Sequence, residues 1–269
     1  MNVGIYSNKK NFDRGCTNIL RIRERLVNAG NSCKIIEDIA DVDGLEVLFV
    51  LGGDGTILTV AAKCATRGVK IIGINYGHIG FLTEFEADRI DEAVSLVIEG
   101  KYKLQKRALL EVSYGESFLA LNDIAIQRNT GAVNFSNTVS INAKIDGTTV
   151  DNFSADGIIV STPTGSTAYS LSAGGSVLSP DLHAFSLTPI CAHSLHSRPV
   201  VFSDDSTVAI TPLNCREPLV MIVDGKVVGK LPVGETVTIK KSHYFAEFIT
   251  RGEEDFFKKL LIKLSIWSK

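Results

Sequence analysis

The apolar run that ends at Phe49-Val50-Leu51 breaks abruptly into Gly52-Gly53-Asp54-Gly55-Thr56, and this junction restricts the architecture more than any other stretch. Glu46 to Leu51, apolar from Val47 on, reads as a buried strand. The glycines after it allow a sharp turn and let backbone N–H groups approach a ligand closely. Apolar spacing predicts a helix directly after Thr56, over Ile57 to Thr66, with Leu58, Ala61, Ala62 and Ala65 on it and Gly68 as its stop. The free N–H groups and positive dipole end of such a helix suit phosphate, which would meet Gly52, Gly53, Gly55 and Thr56. A plain tight turn with Asp54 or Thr56 as helix cap is the other reading of the same residues.

Around this junction the first hundred residues alternate between strand and helix patterns. Val3 to Tyr6 and Lys34 to Ile36 read as strands, separated by a helix carrying Ile19, Ile22 and Leu26 and ended by Gly30. Val69 to Ile74 is a further strand, and it too runs into a glycine-rich turn, Asn75-Tyr76-Gly77-His78-Ile79-Gly80-Phe81-Leu82. A helix from Ile90 to Ile98, with Ala93, Val94 and Val97 on one face, stops at Gly100. Such alternation implies parallel βαβ units, in which ligands sit beyond the carboxyl ends of the strands.

Past Lys103 helical periodicity nearly vanishes. Short alternating runs take over: Leu109 to Tyr114 and Phe118 to Gln127 around Gly115-Glu116, Thr138 to Ile145 and Thr148 to Phe153 around Asp146-Gly147, and Leu219 to Val223 and Lys226 to Leu231 around Asp224-Gly225. The two Asp-Gly pairs are strong hairpin signals. One stretch, Asp156 to Ser172, instead runs from a strand into a hydroxyl-rich turn and a helix. From Glu253 onward, Phe256, Phe257, Leu260, Leu261 and Leu264 with interspersed lysines form an amphipathic helix. The expected fold is therefore an α/β N-terminal domain, 1–103, with a Rossmann-like parallel sheet. A larger β-rich C-terminal domain of β-sandwich type, 104–250, follows, with a tail, 251–269, that packs back on the first domain.

A 45% hydrophobic and 22% charged composition with a net charge of -2 gives no overall bias toward nucleic acid or membrane. Cys16, Cys33, Cys64, Cys191 and Cys215 lack metal-ligand spacing and read as reduced core thiols; His78, His183, His193, His196 and His243 also lack ligand spacing, so no protein-bound metal is expected. The N-terminus turns polar by Ser7, which predicts no signal peptide, and no apolar run reaches membrane-span length. A cytoplasmic protein is the expectation.

Beside a phosphate turn, Asp54 can accept a proton from an attacking hydroxyl, since the proton leaves late in a loose phosphoryl-transfer transition state. Asn122-Asp123 offers a donor and acceptors together, suited to an adenine edge or a ribose diol, and equally to an irregular strand end. The hydroxyls between Thr162 and Ser172 suit a ligand or a capped helix start. Tyr169 is core or a stacking surface, and Asp224-Gly225 by itself is a hairpin turn.

Taken together and in order, GGDGT at 52–56, Gly73 to Thr83, Leu121-Asn122-Asp123, Asp156 to Gly175 and Asp224-Gly225 resemble the NAD kinases over nearly the whole chain. These belong to the wider superfamily that includes diacylglycerol, sphingosine and 6-phosphofructokinases. The resemblance implies phosphorylation of the 2′-hydroxyl of the adenosine ribose of NAD, giving NADP, with ATP and Mg²⁺ or inorganic polyphosphate as donor. It implies Asp54 as catalytic base, and Gly55 and Phe81 lining the dinucleotide. It places Asn122 and Asp123 at adenine, Asp156 near the nicotinamide amide, Thr164, Thr167, Ala168, Tyr169 and Ser172 around the dinucleotide, and Asp224 with Gly225 at further contacts. It also implies a homodimer or homotetramer, for which the loops near Pro189 to Pro199 are the candidate contact, and a reaction between the two domains.

The chain departs from the family pattern at Thr59 and Ser154, where many relatives are basic. Lys63 and Arg67 could supply charge or form a solvated face. Two rival readings are a lipid kinase of the same superfamily and a dinucleotide-binding regulator without turnover. An absent basic amphipathic membrane motif argues against the first, and the regulator would have no need of Asp54.

Overall fold

The structure is a computed structural model that describes residues 1–7, 9–77, 80–129, 138–194, 196–252 and 256–267, with the backbone alone for 9–15, 264, 266 and 267. His78 and Ile79 of the second glycine turn, Glu253 and the Leu264 side chain lie outside it. The chain divides into two compact units, Met1–Arg107 with Tyr244–Lys269, and Ala108–His243.

In the first unit the strands run in the order Ser32–Ile36, Asn2–Ser7, Val47–Leu51, Lys70–Asn75, followed by the end of Val237–Thr250 through Phe248 beside Ile71. All these pairings are parallel. The chain leaves Asn2–Ser7 for one side of the sheet and returns to Val47–Leu51 on the other, so the order reverses at that pair. A crevice forms at the carboxyl ends of strands where such a reversal occurs. Val47, Leu48, Phe49, Val50 and Leu51 are fully buried, as expected of a strand covered on both faces. The helices Lys9–Asn28 and Ile90–Glu99 contribute Ile19, Ile22 and Leu26, and Ala93, Val94 and Val97, to the core containing Phe49 and Ile72.

The helix after the glycine turn spans Asp54–Arg67, starting before the position expected from apolar spacing. Its N-cap is Gly53, with extended backbone and no side-chain cap, so neither Asp54 nor Thr56 serves as cap. The carboxylate of Asp54 is thereby left for other partners. Gly68 ends the helix at a φ of 66°, and Val69 N–H reaches back to the Cys64 carbonyl at 3.0 Å.

The second unit contains a six-stranded antiparallel sheet ordered Val200–Ser203, Ala184–Ile190, Gly157–Ser161, Asp123–Gln127, Leu219–Val223, Lys226–Leu231. A further antiparallel set runs Thr148–Ala155, Val139–Ile145, Val208–Asn214 and the start of Val237–Thr250. Ile124, Ile126, Ile158 and Val160 of the first share one core with Ile141, Phe153, Ile210 and Ile239 of the second, the arrangement of a sandwich.

Two sequence expectations need correction here. Phe118 to Gln127 is not one strand: Glu116–Ala120 pairs with Lys103–Tyr114, whereas Asp123–Gln127 belongs to the six-stranded sheet. The break occurs because the N–H groups of Leu121, Asn122 and Asp123 bond a carboxylate. The cysteines are not all core thiols either, since Cys16 and Cys191 are exposed while Cys64 is buried. Among the described residues no helix is long and apolar enough to cross a membrane.

Candidate active site

The carboxylate of Asp54 stands in the first helical turn beyond Leu51. Oδ2 accepts the Phe81 N–H at 2.8 Å and Oδ1 accepts the Leu82 N–H at 3.0 Å, so the second glycine turn grips the product of the first. Close approach is what the glycines provide: a Cβ on Gly80 would fall 2.2 Å from Asp54 Oδ1, and one on Gly73 would fall 3.0 Å from the Leu82 carbonyl. Glu84 N–H bonded to the Gly73 carbonyl at 3.0 Å fixes the turn against the strand Lys70–Asn75.

Of the backbone donors expected to face phosphate, Gly52 N–H is bonded to the Ile74 carbonyl at 2.9 Å and Thr56 N–H to the Gly53 carbonyl at 2.9 Å. The N–H groups of Asp54 and Gly55 lie in the first turn, where an α-helix provides no internal acceptor. Gly55 is exposed. Thr59 Oγ1 donates to the Thr56 carbonyl at 2.6 Å, and Lys63 and Arg67 pair with Asp43 at 3.9 and 2.6 Å, so the helix's own basic residues turn toward Asp43.

Charge at Asp54 comes from elsewhere in the sequence. The terminal helix Phe256–Trp267 places Lys263 Nζ 3.5 Å from Asp54 Oδ2 and 3.9 Å above the centroid of the Phe81 ring. Phe256 lies beside that same ring, with centroids 6.0 Å apart, and Lys259 Nζ donates to the Thr83 carbonyl at 2.9 Å. Burial pushes the Lys263 ammonium below its usual pKa, against the opposing pull of Asp54.

In the second unit the predicted residues gather around two neighbouring strands. Asp224 Oδ2 accepts Leu121 N–H at 2.8 Å, and Oδ1 accepts Asn122 N–H at 2.8 Å and Asp123 N–H at 3.2 Å. From the other side, Thr162 Oγ1 donates to the Leu121 carbonyl at 2.6 Å and Thr162 N–H to the Asn122 carbonyl at 2.9 Å. A Cβ on Gly165 would fall 2.1 Å from that Asn122 carbonyl, so the hydroxyl-rich turn lies directly on the Asn122 backbone. The Asn-Asp pair is thus held by backbone contacts, with Asn122 half-buried and Asp123 buried.

Across the register from Ser161 opposite Asp123 to Gly157 opposite Gln127 lies the other end of the same strands. There Arg128 Nη2 donates to Asp156 Oδ2 at 2.9 Å, and Tyr169 Oη donates to Gln127 Oε1 at 2.9 Å. Burial first, then nearby Cys191, Asp123 and Asp156, raise the pKa of the exposed Tyr169 hydroxyl above its ordinary value. Helical structure after the turn is brief, a 3-10 turn Gly165–Thr167 and a single α turn Tyr169–Ser172. Thr164 is buried, Thr167 donates to its carbonyl at 3.2 Å, Ala168 is half-buried and Ser172 exposed. Gly225 is exposed at the hairpin tip.

Two comparisons with known proteins decide the family. Residues 12–102 match the model of the ATP-NAD kinase N-terminal domain and 121–251 that of the ATP-NAD kinase C-terminal domain. The chain belongs to the ATP-NAD kinase family. It is 42% identical over 230 residues to NAD kinase of Clostridium botulinum (strain Kyoto / Type A2), covering 84% of this chain and 80% of that protein. It is 38% identical over 226 residues to NAD kinase of Heliobacterium modesticaldum, covering 82% and 78%. An NAD kinase from Archaeoglobus fulgidus in complex with ATP superposes with a TM-score of 0.81 at 26% identity, over 98% of this chain and 99% of that one. Yeast NADH kinase complexed with NADH shares the fold at a TM-score of 0.85 and 24% identity, over 100% and 88%.

For this NAD kinase family member the sequence reading missed Lys263, Arg128 and Gln127. Arg128 and Gln127 sit at the end of a strand in an unremarkable polar pattern. Lys259 and Lys263, four apart on the terminal helix, were the available signal, since that spacing puts both ammonium groups on one face. Among the described residues no group of three or more His, Cys, Asp or Glu side chains is arranged to hold a metal ion.

Asp123 carries a pH dependence. Burial, then the facing Asp224 carboxylate, raise its pKa from 3.8 to about 7. A raised folded-state pKa means that the protonated form is favoured by folding. Its contribution is fully present below about pH 4 and is lost as pH rises through about 7. Asp123→Asn, neutral at every pH, is expected to remove at most about 3 kcal/mol of stability loss between pH 5 and 8, the size set by the roughly two pH units of that window that lie below the folded-state pKa. Guanidinium unfolding at both pH values checks this; wild type and variant falling in parallel would contradict it.

Proposed function

We propose that the protein transfers the γ-phosphoryl group of ATP to the 2′-hydroxyl of the adenosine ribose of NAD, yielding NADP and ADP. The observation that carries the reading is a carboxylate, Asp54, fixed by two N–H groups at the carboxyl end of the central buried strand of an ATP-NAD kinase family chain. The 2′-oxygen forms a bond to the γ-phosphorus, and the bond from that phosphorus to the β,γ-bridging oxygen breaks, its electron pair leaving with ADP. The hydroxyl proton passes to Asp54. N–H groups of Asp54 and Gly55 at the helix start receive phosphate oxygens.

Asn122 and Asp123 bind adenine, with Asp224 acting on that end through the backbone it holds. Asp156, oriented by Arg128, receives the nicotinamide amide, and Tyr169, Thr164, Thr167, Ala168, Ser172 and Phe81 line the dinucleotide. Mg²⁺ enters with ATP as part of the donor, offsetting charge on the transferring group. The ATP-bound Archaeoglobus fulgidus relative supports a nucleotide donor. A cytoplasmic homodimer or homotetramer, with the loops near Pro189 to Pro199 at the contact, completes the reading.

Incubation with NAD and MgATP, other nucleoside triphosphates or polyphosphate, read by a coupled NADP assay, tests it. NADP is expected with MgATP. A folded protein that binds NAD and forms no NADP with any donor would favour the regulator instead.

A further inference from the structure

Lys263 lies on the terminal helix, 209 residues beyond Asp54, with its side chain 14% exposed; among the described residues its ammonium meets the Asp54 carboxylate and the Phe81 ring face. Docking of the helix does not require a charge there. Phe256 against Phe81 and Lys259 on the Thr83 carbonyl already attach the helix to the same turn, and an apolar side chain would fill a half-buried position at lower desolvation cost. What the location offers is proximity to chemistry: a hydroxyl bonded to Asp54 has its phosphorus acceptor about 3 Å away at the point of attack. A long flexible ammonium 3.5 Å from Asp54 Oδ2 therefore reaches the transferring group without moving the helix.

The phosphate turn also lacks a cation of its own. The first six residues of its helix, Asp54 to Thr59, hold no basic side chain, Thr59 is bonded to the Thr56 carbonyl, and Lys63 and Arg67 are turned to Asp43. Phosphoryl transfer spreads negative charge over three equatorial oxygens, and cations aimed at them supply much of the catalysis.

We infer that Lys263 is a catalytic residue for phosphoryl transfer: its ammonium, parked between Asp54 and the Phe81 ring, passes to the oxygens of the transferring phosphoryl group as the 2′-hydroxyl attacks. This rests on the assignment of Asp54 as the base. The Phe81 ring supports the parked position by cation–π attraction, while the Phe81 N–H holds Asp54, so one residue sets the distance between base and cation.

The charged groups that act on Lys263 are Asp54, which favours the ammonium, and Lys259 on its own helix, which opposes it; burial outweighs Asp54 and lowers the pKa. An alkaline decline in turnover follows, as the ammonium loses its proton. Arg in its place stays charged throughout and would lack that decline.

The test uses the full chain as wild type, Lys263→Met and Lys263→Arg, with kcat, KM for NAD and MgATP, pH profiles from 6 to 10 and thermal melts. Lys263→Met is expected to lower kcat about 10²- to 10³-fold, the range for removing one charge-stabilising donor. Its KM for NAD should stay within about threefold and its melting temperature within a few degrees, because Phe256 and Lys259 keep the helix docked. Lys263→Arg should recover about tenfold or more of the loss and keep its turnover at alkaline pH. An active wild type with Lys263→Met within about threefold in kcat, or with Lys263→Arg declining at the same alkaline pH as wild type, overturns the role of Lys263 alone. A wild type that forms no NADP overturns the kinase reading and this one together.

Discussion

Asp54→Asn is expected to lower kcat for NADP formation by about 10²- to 10⁴-fold, the range for loss of a general base. Asparagine keeps the size of the side chain and removes the oxygen that can take the 2′-hydroxyl proton. The substitution also has a structural effect that must be separated from the chemical one. Phe81 N–H, Leu82 N–H and Lys263 Nζ all donate to Asp54, and an amide has one oxygen to offer them. Its NH₂ group must face a donor, leaving a partly buried N–H without an acceptor at a cost of about 1–3 kcal/mol. For a chain of this size that corresponds to a fall in melting temperature of roughly 2–8 °C. The decisive measurement is therefore kcat at a temperature well below the variant's transition, with a melt alongside. A folded Asp54→Asn protein with wild-type kcat would remove Asp54 from the chemistry.

The contrast between Asp54 and Lys263 shows where sequence reading succeeds. An apolar run that stops at three glycines and a carboxylate is a local pattern, and the buried strand Val47–Leu51 with Asp54 just beyond it follows from that pattern directly. The Asp-Gly hairpins are local as well: Asp146 and Gly147 have φ of 49° and 80°, and Asp224 and Gly225 of 45° and 79°, the left-handed pair that such turns require. The helix start was displaced because glycine at 53 and 55 weakens helical pattern, although Gly53 can serve as N-cap without a Cβ.

Long-range partners leave no comparable trace. The spacing of Lys259 and Lys263 puts both on one face of the terminal helix, but nothing local says that this face meets Asp54 rather than solvent, the usual surroundings of lysines on an amphipathic helix. Asp224 was legible as a turn residue, whereas its carboxylate bonds to a backbone about a hundred residues earlier depend on a sheet order that brings Leu219–Val223 beside Asp123–Gln127. That bonding in turn explains the break in the run Phe118 to Gln127, which alternation alone would continue.

Asp224→Ala should strongly destabilise the second unit. Three N–H groups, of Leu121, Asn122 and Asp123, lose their acceptor at once, at about 1–3 kcal/mol for each that remains buried. Alanine must in addition adopt the φ of 45° that aspartate tolerates at this turn, adding about 1 kcal/mol. Relief comes from removing a buried carboxylate that faces Asp123, so the net loss should be smaller than the sum, on the order of 3–5 kcal/mol. Asp224→Asn keeps the left-handed turn and one accepting oxygen, and should lose about half as much. Both variants should raise KM for NAD more than they lower kcat, because the backbone they release carries Asn122 and Asp123 rather than Asp54. Denaturant unfolding with steady-state kinetics of the asparagine variant provides the check. If Asp224→Asn unfolds as wild type does and binds NAD equally well, the carboxylate is only a turn residue and Asn122 is positioned by Thr162 and Gly165 alone.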